Sequence, residues 1–305
     1  SRESELLKPL AAAQSIHAVL LGGGSAFGLD AAGGVMQFLE EKGIGFDVGV
    51  TKVPLVCQSD IFDLTVADAH IRPDKEMGYE ACKGAYADNY QDGNFGVGTG
   101  ATVGKFRGMD YCMKSGSYAV QIGDFKVGAL VAVNALGDIY DYHTGRIVAG
   151  MLNEERSGFA DTAKLLYSSY EVHDNKFVGN TTIGAIITNA RFDKSQLSKI
   201  AGMAHNGYAR SIRPVHTSAD GDSIYALSVG NIAADCRTIA DFGVSVAGFD
   251  DLHDLFFVFF HVWIHFSTSL QRLPFAYFQS SAVFLFAICR RLIGRRLMGF
   301  NQLER

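Results

Sequence analysis

Glycine punctuates this chain and then stops: of 34 Gly in 305 residues, only Gly294 and Gly299 lie beyond position 250. Glycines between apolar runs mark turns and places where backbones must approach closely. The first 250 residues therefore read as many short elements joined tightly, which suits a layered α/β or α+β domain. The same region carries 21 basic and 29 acidic side chains, and the whole chain a net charge of -5, so nothing draws it to nucleic acid or anionic lipid in bulk. Five widely spread Cys form no C-x-x-C pair, the usage of a reducing compartment rather than of a disulfide framework or zinc site. The opening residues Ser1 to Glu5 lack the layout of a secretory signal, and the cytoplasm is the default location.

The hydrophobic pattern places the elements. His17 to Leu21 is a short apolar run that ends in Gly22-Gly23-Gly24-Ser25, followed by Phe27, Ala31, Val35, Phe38 and Leu39 at helix spacing, with Gly43 as the stop. This predicts strand, Gly-rich turn and helix, with Ser25 as N-cap. Strands are expected over Tyr118 to Ile122 and Lys126 to Val133, and the polar stretch from Asp141 to Asn175 reads as a surface loop or linker. Thr181 to Thr188 is a β-branched run after Gly179-Asn180 and predicts a buried strand. Asp193 caps a helix whose apolar face is Leu197, Ile200, Ala201, Ala204 and Tyr208, and Ser223 to Val229 is a further strand.

Several familiar motifs fail on spacing. Gly22-x-Gly24 is followed by Gly28, one residue late for a dinucleotide loop, and no Lys-Ser/Thr follows as a P-loop needs. The run Gly23 to Gly28 resembles a nucleophile elbow, but Phe27 stands where G-x-S-x-G needs Gly. There is no H-E-x-x-H pair, and His205 and His216 have no carboxylate or thiolate at ligand spacing, so both read as structural or hydrogen-bonding residues. No cofactor or metal is implied.

The segment Val178 to Gly184 holds more chemistry. A cut between Asn180 and Thr181 would give Thr181 a free α-amine beside its own hydroxyl, and such an amine titrates near neutrality, at about 7.7–8.0. One residue would then supply both nucleophile and general base. On the residues alone, the commoner reading is that a Thr-rich strand start is only a strand. Likewise Asp220-Gly221 is an ordinary turn signal, and Asn134 can simply end a strand.

Five collinear stretches tip these choices: His17 to Phe46, Gly96 to Lys105 (GVGTGATVGK), Val127 to Ile139, Gly179 to Ala190 (GNTTIGAIITNA) and Ala204 to Leu227. Together they resemble the self-processing aminopeptidases that include L-aminopeptidase/D-esterase and the β-peptidyl aminopeptidases, related to the ornithine acetyltransferases. The resemblance implies an α+β fold, a four-layer αββα sandwich similar to N-terminal nucleophile hydrolases. It further implies one precursor that cuts itself between Asn180 and Thr181 into residues 1–180 and a smaller chain over 181–250. Thr181 would be the nucleophile, Asn134 the oxyanion donor, and Asp220 with Asp222 the polar pair that orients nucleophile and amine. A small peptide or amide substrate and a homo-oligomer are implied as well. Two rival readings are an acyltransferase of the ornithine acetyltransferase type and an inactive, truncated remnant.

This chain departs from the family in three ways. Where the peptidases carry a Tyr after a Val-Pro dipeptide, Val53 to Phe62 has none. The family's first strands are expected to be missing ahead of Arg2. From Asp251 to Arg305 there is no Lys, 11 Phe fall between Phe249 and Phe300, and six Arg face three acids. This Phe/Arg-rich tail over 251–305 reads as a frameshifted gene end outside the fold. A membrane hairpin is the rival reading, although its 16-residue apolar stretches, Leu255 to Leu270 and Pro274 to Cys289, are short of the roughly 20 a spanning helix needs.

Overall fold

A computed structural model describes residues 1–87, 91, 93–111, 113–114, 117–121, 127–168 and 179–233. The tail over 251–305, the end of the polar stretch before Asn175, and Cys112, Cys236 and Cys289 lie outside the described residues.

Two sheets face each other. The first pairs β1 (Ala18–Gly22) in parallel with β2 (Val56–Asp60), from Ala18 opposite Val56 to Gly22 opposite Asp60. The second has four strands: β3 (Ser117–Gln121), β4 (Val127–Ala132), β7 (Ile183–Ala190) and β9 (Ser223–Ile232), in the order β9-β7-β4-β3. Strand β7 runs antiparallel to β4 and parallel to β9. Helices α1 (Ala31–Glu41) and α2 (Lys75–Tyr86) cover the first sheet, and α4 (Lys194–Ser211) covers the second.

The period-2 alternation of the strands assigns their faces. Val19, Leu21 and Cys57 of the first sheet, with Ile61 just past its end, meet Leu130, Ala132, Ile183, Ala185 and Ile187 of the second in one core. Leu20 and Val56 point the other way, into α1 and α2 through Val35, Phe38, Leu39 and Ala85. Val127, Ala129 and Ile186 pack on Ile200 and Ala204 of α4. The layer order is therefore α-β-β-α, the sandwich the sequence led us to expect. All eight residues of β7 are buried, which explains why its sequence is a continuous apolar and β-branched run.

Close backbone contact binds the outer helices. A Cβ on Gly34 of α1 would strike the carbonyl of Lys75, and one on Gly78 of α2 the carbonyl of Ala31. Gly43 ends α1 at φ 68°, with its N–H on Glu40 O at 2.8 Å, as its position in the sequence suggests. Helix α4 opens with a full capping box between Asp193 and Gln196. Beside it, Lys194 Nζ donates to the carbonyls of Leu6, Ala11 and Ala13 at 3.0, 2.9 and 2.8 Å.

Two expectations are corrected. Ser25 caps no helix: it begins a 3₁₀ turn over Ser25–Asp30 at φ 55°, and α1 starts only at Ala31. The neighbouring chain already satisfies this turn, since Gly24 N donates to Asp63 Oδ1 at 2.6 Å and Ser25 N to Ile61 O at 3.0 Å. Phe27 is consequently exposed, with the Arg72 guanidinium 3.8 Å from its ring centre. The polar stretch after Asp141 is not all loop. It holds β6 (Ile147–Ala149), paired with β5 (Asp138–Tyr140), and α3 (Thr162–Ser168). β5 also pairs with β8 (Ile212–Arg213). The fully buried Asp138 organises this region, accepting from Met151 N, Thr162 N and Thr162 Oγ1 at 2.8, 2.6 and 2.8 Å.

Cys57 and Cys82 are buried free thiols that burial pushes up to about 11 and about 12, so neither is a thiolate near neutrality. Among the described residues no helix is long and apolar enough to cross a membrane.

Candidate active site

Strand register assembles the site. In the β7–β4 ladder Ile183 faces Ala132, so continuing it two residues sets Thr181 opposite Asn134; Thr181 N donates to Asn134 O at 2.9 Å. In the β7–β9 ladder Ile183 lies beside Ser223, which brings Gly221 and Asp222 alongside Thr181 and Thr182. A bridge between Asn180 and Asp220 extends that pairing past the strand ends. Three segments far apart in sequence thus meet around one peptide bond.

That bond joins Asn180 to Thr181. The Asn180 carbonyl accepts the N–H of Gly221 at 2.8 Å. A Cβ on Gly221 would stand 3.3 Å from Thr181 Oγ1, so the bare glycine leaves the hydroxyl room on that side. Asn180 itself is buried.

Asn134 is fully buried and its amide is fixed by its neighbours. Oδ1 accepts from Lys105 Nζ at 2.8 Å, Thr102 N at 3.1 Å and Thr102 Oγ1 at 3.3 Å. With three donors on the oxygen, the NH₂ must face the other way, toward Phe62 O at 3.0 Å and Gly179 O at 3.5 Å. Lys105, only 3% exposed, also reaches Asn134 O at 3.1 Å.

The two aspartates differ. Asp222 accepts from Thr182 N on Oδ1 and meets His216 Nδ1 on Oδ2, both at 2.7 Å. Burial pushes its carboxyl above the usual range, the Thr182 N–H draws it back, and the Asp220 charge pushes it further up. Asp220 reaches the site through its backbone, while its carboxylate accepts from Thr217 N and Oγ1 at 2.9 and 2.6 Å and closes a turn.

The structure thus brings Thr181, Asn180, Asn134 and Asp222 together, and Asp220 with them by its main chain. Sequence reasoning passed over Lys105, Thr102, Phe62 and Gly221 as participants and read His216 as a hydrogen-bonding residue without naming its partner. Lys105 had a visible signal, since it ends the Gly96 to Lys105 stretch; the main-chain contributions of Phe62 and Gly221 leave none in residue type. No group of three or more His, Cys, Asp or Glu among the described residues could hold a metal ion.

A four-layer α+β sandwich with a hydroxyl at the head of its central strand narrows the class, and comparison names it. The sequence profile of Peptidase family S58 matches residues 1–258, and the chain belongs to that family. It is 39% identical over 241 residues to an uncharacterized aminopeptidase of Mycobacterium leprae, covering 77% of this chain and 66% of that one. It is 31% identical over 221 residues to a 6-aminohexanoate-oligomer endohydrolase of Agromyces, covering 71% and 61%. The chain therefore spans about two thirds of the length of the mycobacterial relative. A solved L-aminopeptidase D-Ala-esterase/amidase from Ochrobactrum anthropi superposes with a TM-score of 0.44 at 16% identity, over 72% of this chain and 59% of that one.

Proposed function

We propose that this chain is a self-processing amide hydrolase that cuts itself between Asn180 and Thr181 and then removes N-terminal residues from peptides or splits small amides. The observation that carries this reading is the Asn180 carbonyl, already held by the Gly221 N–H at 2.8 Å with the Thr181 hydroxyl beside the same glycine. In self-processing, Thr181 Oγ1 attacks the Asn180 carbonyl carbon, and charge developing on its oxygen falls on the Gly221 donor. Collapse breaks the C–N bond and leaves an ester on Oγ1; water hydrolyses the ester, giving residue 180 a carboxylate and Thr181 a free amine.

In turnover that amine takes the hydroxyl proton as Oγ1 attacks the substrate carbonyl, then passes it to the leaving amine. The Asn134 carbonyl, 2.9 Å from Thr181 N, orients the amine, and the Asn134 amide stabilises the oxyanion. The carboxylate of Asp222, just ahead of the strand beside it, favours the amine's ammonium form between turnovers, while Asp220 contributes through its main chain. The name of the endohydrolase relative puts short ω-amino amides among the substrates to try, beside aminoacyl amides.

The full chain, incubated and run on a denaturing gel, should give two bands, the smaller starting at Thr181. Thr181→Ala should stay uncut and Thr181→Ser should still cut; a wild-type chain that stays whole and inactive would overturn the reading. Offering a competing amine with the amide substrate tests the alternative chemistry, since transfer product without hydrolysis means an acyltransferase.

A further inference from the structure

A histidine not needed for the chemistry above is built into the wall of the site. Both oxygens of Asp222, whose side chain is 4% exposed, are occupied: Oδ1 by Thr182 N and Oδ2 by His216 Nδ1, each at 2.7 Å. An ionised carboxylate only accepts, so Nδ1 carries the hydrogen of that contact. His216 reaches it from a backbone at φ 54°, the left-handed region, which is unfavourable for an L-residue. Glycine would meet no such cost. A non-glycine residue kept in that conformation points to a task for its side chain.

The imidazole is also held from behind. Its ring centre lies 4.9 Å from that of His205 and 6.1 Å from that of Tyr208, both on α4. The imidazole nevertheless keeps contact with solvent, at 36% side-chain exposure.

We propose that His216 is the positioning residue of this active site: it locks Asp222 onto the Thr182 N–H and thereby fixes the head of the strand that carries Thr181. This rests on the hydrolase reading above.

The test uses the full chain with two substitutions. His216→Gly relieves the left-handed backbone and removes the imidazole; His216→Asn tolerates that backbone and offers an amide hydrogen that does not titrate. We expect His216→Gly to slow cleavage at Thr181 and to lower kcat about 10- to 100-fold, with KM changed little and Tm unchanged or raised. His216→Asn should recover much of that rate, because its amide hydrogen can take the place of the Nδ1 hydrogen on Asp222. A cut, active wild type whose His216→Gly variant keeps wild-type kcat, or whose His216→Asn variant is as slow as His216→Gly, overturns this inference alone. A wild type that neither cuts nor turns over overturns the hydrolase reading, and this inference falls with it.

Discussion

Lys105 shows how much of the site's order comes from a residue that need not touch substrate. Its ammonium donates to both oxygens of Asn134, and with the Thr102 hydrogen bonds it decides which face of that amide carries the NH₂. Lys105→Met keeps the length of the stem and removes the donor. The amide is then free to turn, and kcat should drop about 100-fold or more, the scale of a lost oxyanion donor. Because a buried charge leaves with it, Tm should fall little or rise. An unchanged kcat would show that Thr102 alone fixes the amide.

Strand β2 carries a second buried charge with a measurable signature. Asp60 keeps Gln58 Nε2 on Oδ1 at 2.7 Å, and burial pushes its carboxyl up to about 7. The folded chain therefore binds this proton more tightly than the unfolded chain, where an Asp titrates near 3.9. The stability this contributes is present below pH ~4 and is lost as pH rises through about 7, with an upper bound of about 4 kcal/mol. Asp60→Asn retains an acceptor for Gln58 without the charge, so its Tm should stay level between pH 5 and 8 while that of the wild type falls. At the α1–α2 crossing, Gly34→Ala pushes a methyl against the Lys75 carbonyl, which cannot move without its helix; we expect a loss of about 1–3 kcal/mol in denaturant unfolding. Elements of this kind are legible where the pattern is local. The run of β7, the Asp193 capping box and the Gly43 stop each fit within a few neighbouring residues. Asp138 gave no such sign, because the groups it holds lie at Met151 and Thr162, and Ser25 misled because Asp63 and Ile61 supply what a cap would have supplied.

At the scale of the molecule, the residues around Thr181 were readable only through family resemblance, since Asn134, Thr181 and Asp222 become neighbours by pairing of distant strands rather than by spacing. The same pairing governs what a cut would do. β7 is bonded on one side to β4 and on the other to β9, and breaking the chain at its head removes no rung of either ladder. We expect the cut protein to elute from gel filtration as a single species containing both chains, which separate only in denaturant; spontaneous separation in buffer would contradict this. Lys194 acquires a different meaning there. If the backbone is severed before Thr181, its ammonium would belong to one polypeptide and the Leu6, Ala11 and Ala13 carbonyls to the other. An internal contact would then become a rivet between two molecules, fastening the first turn of α4 to the segment around Leu6 and Ala13.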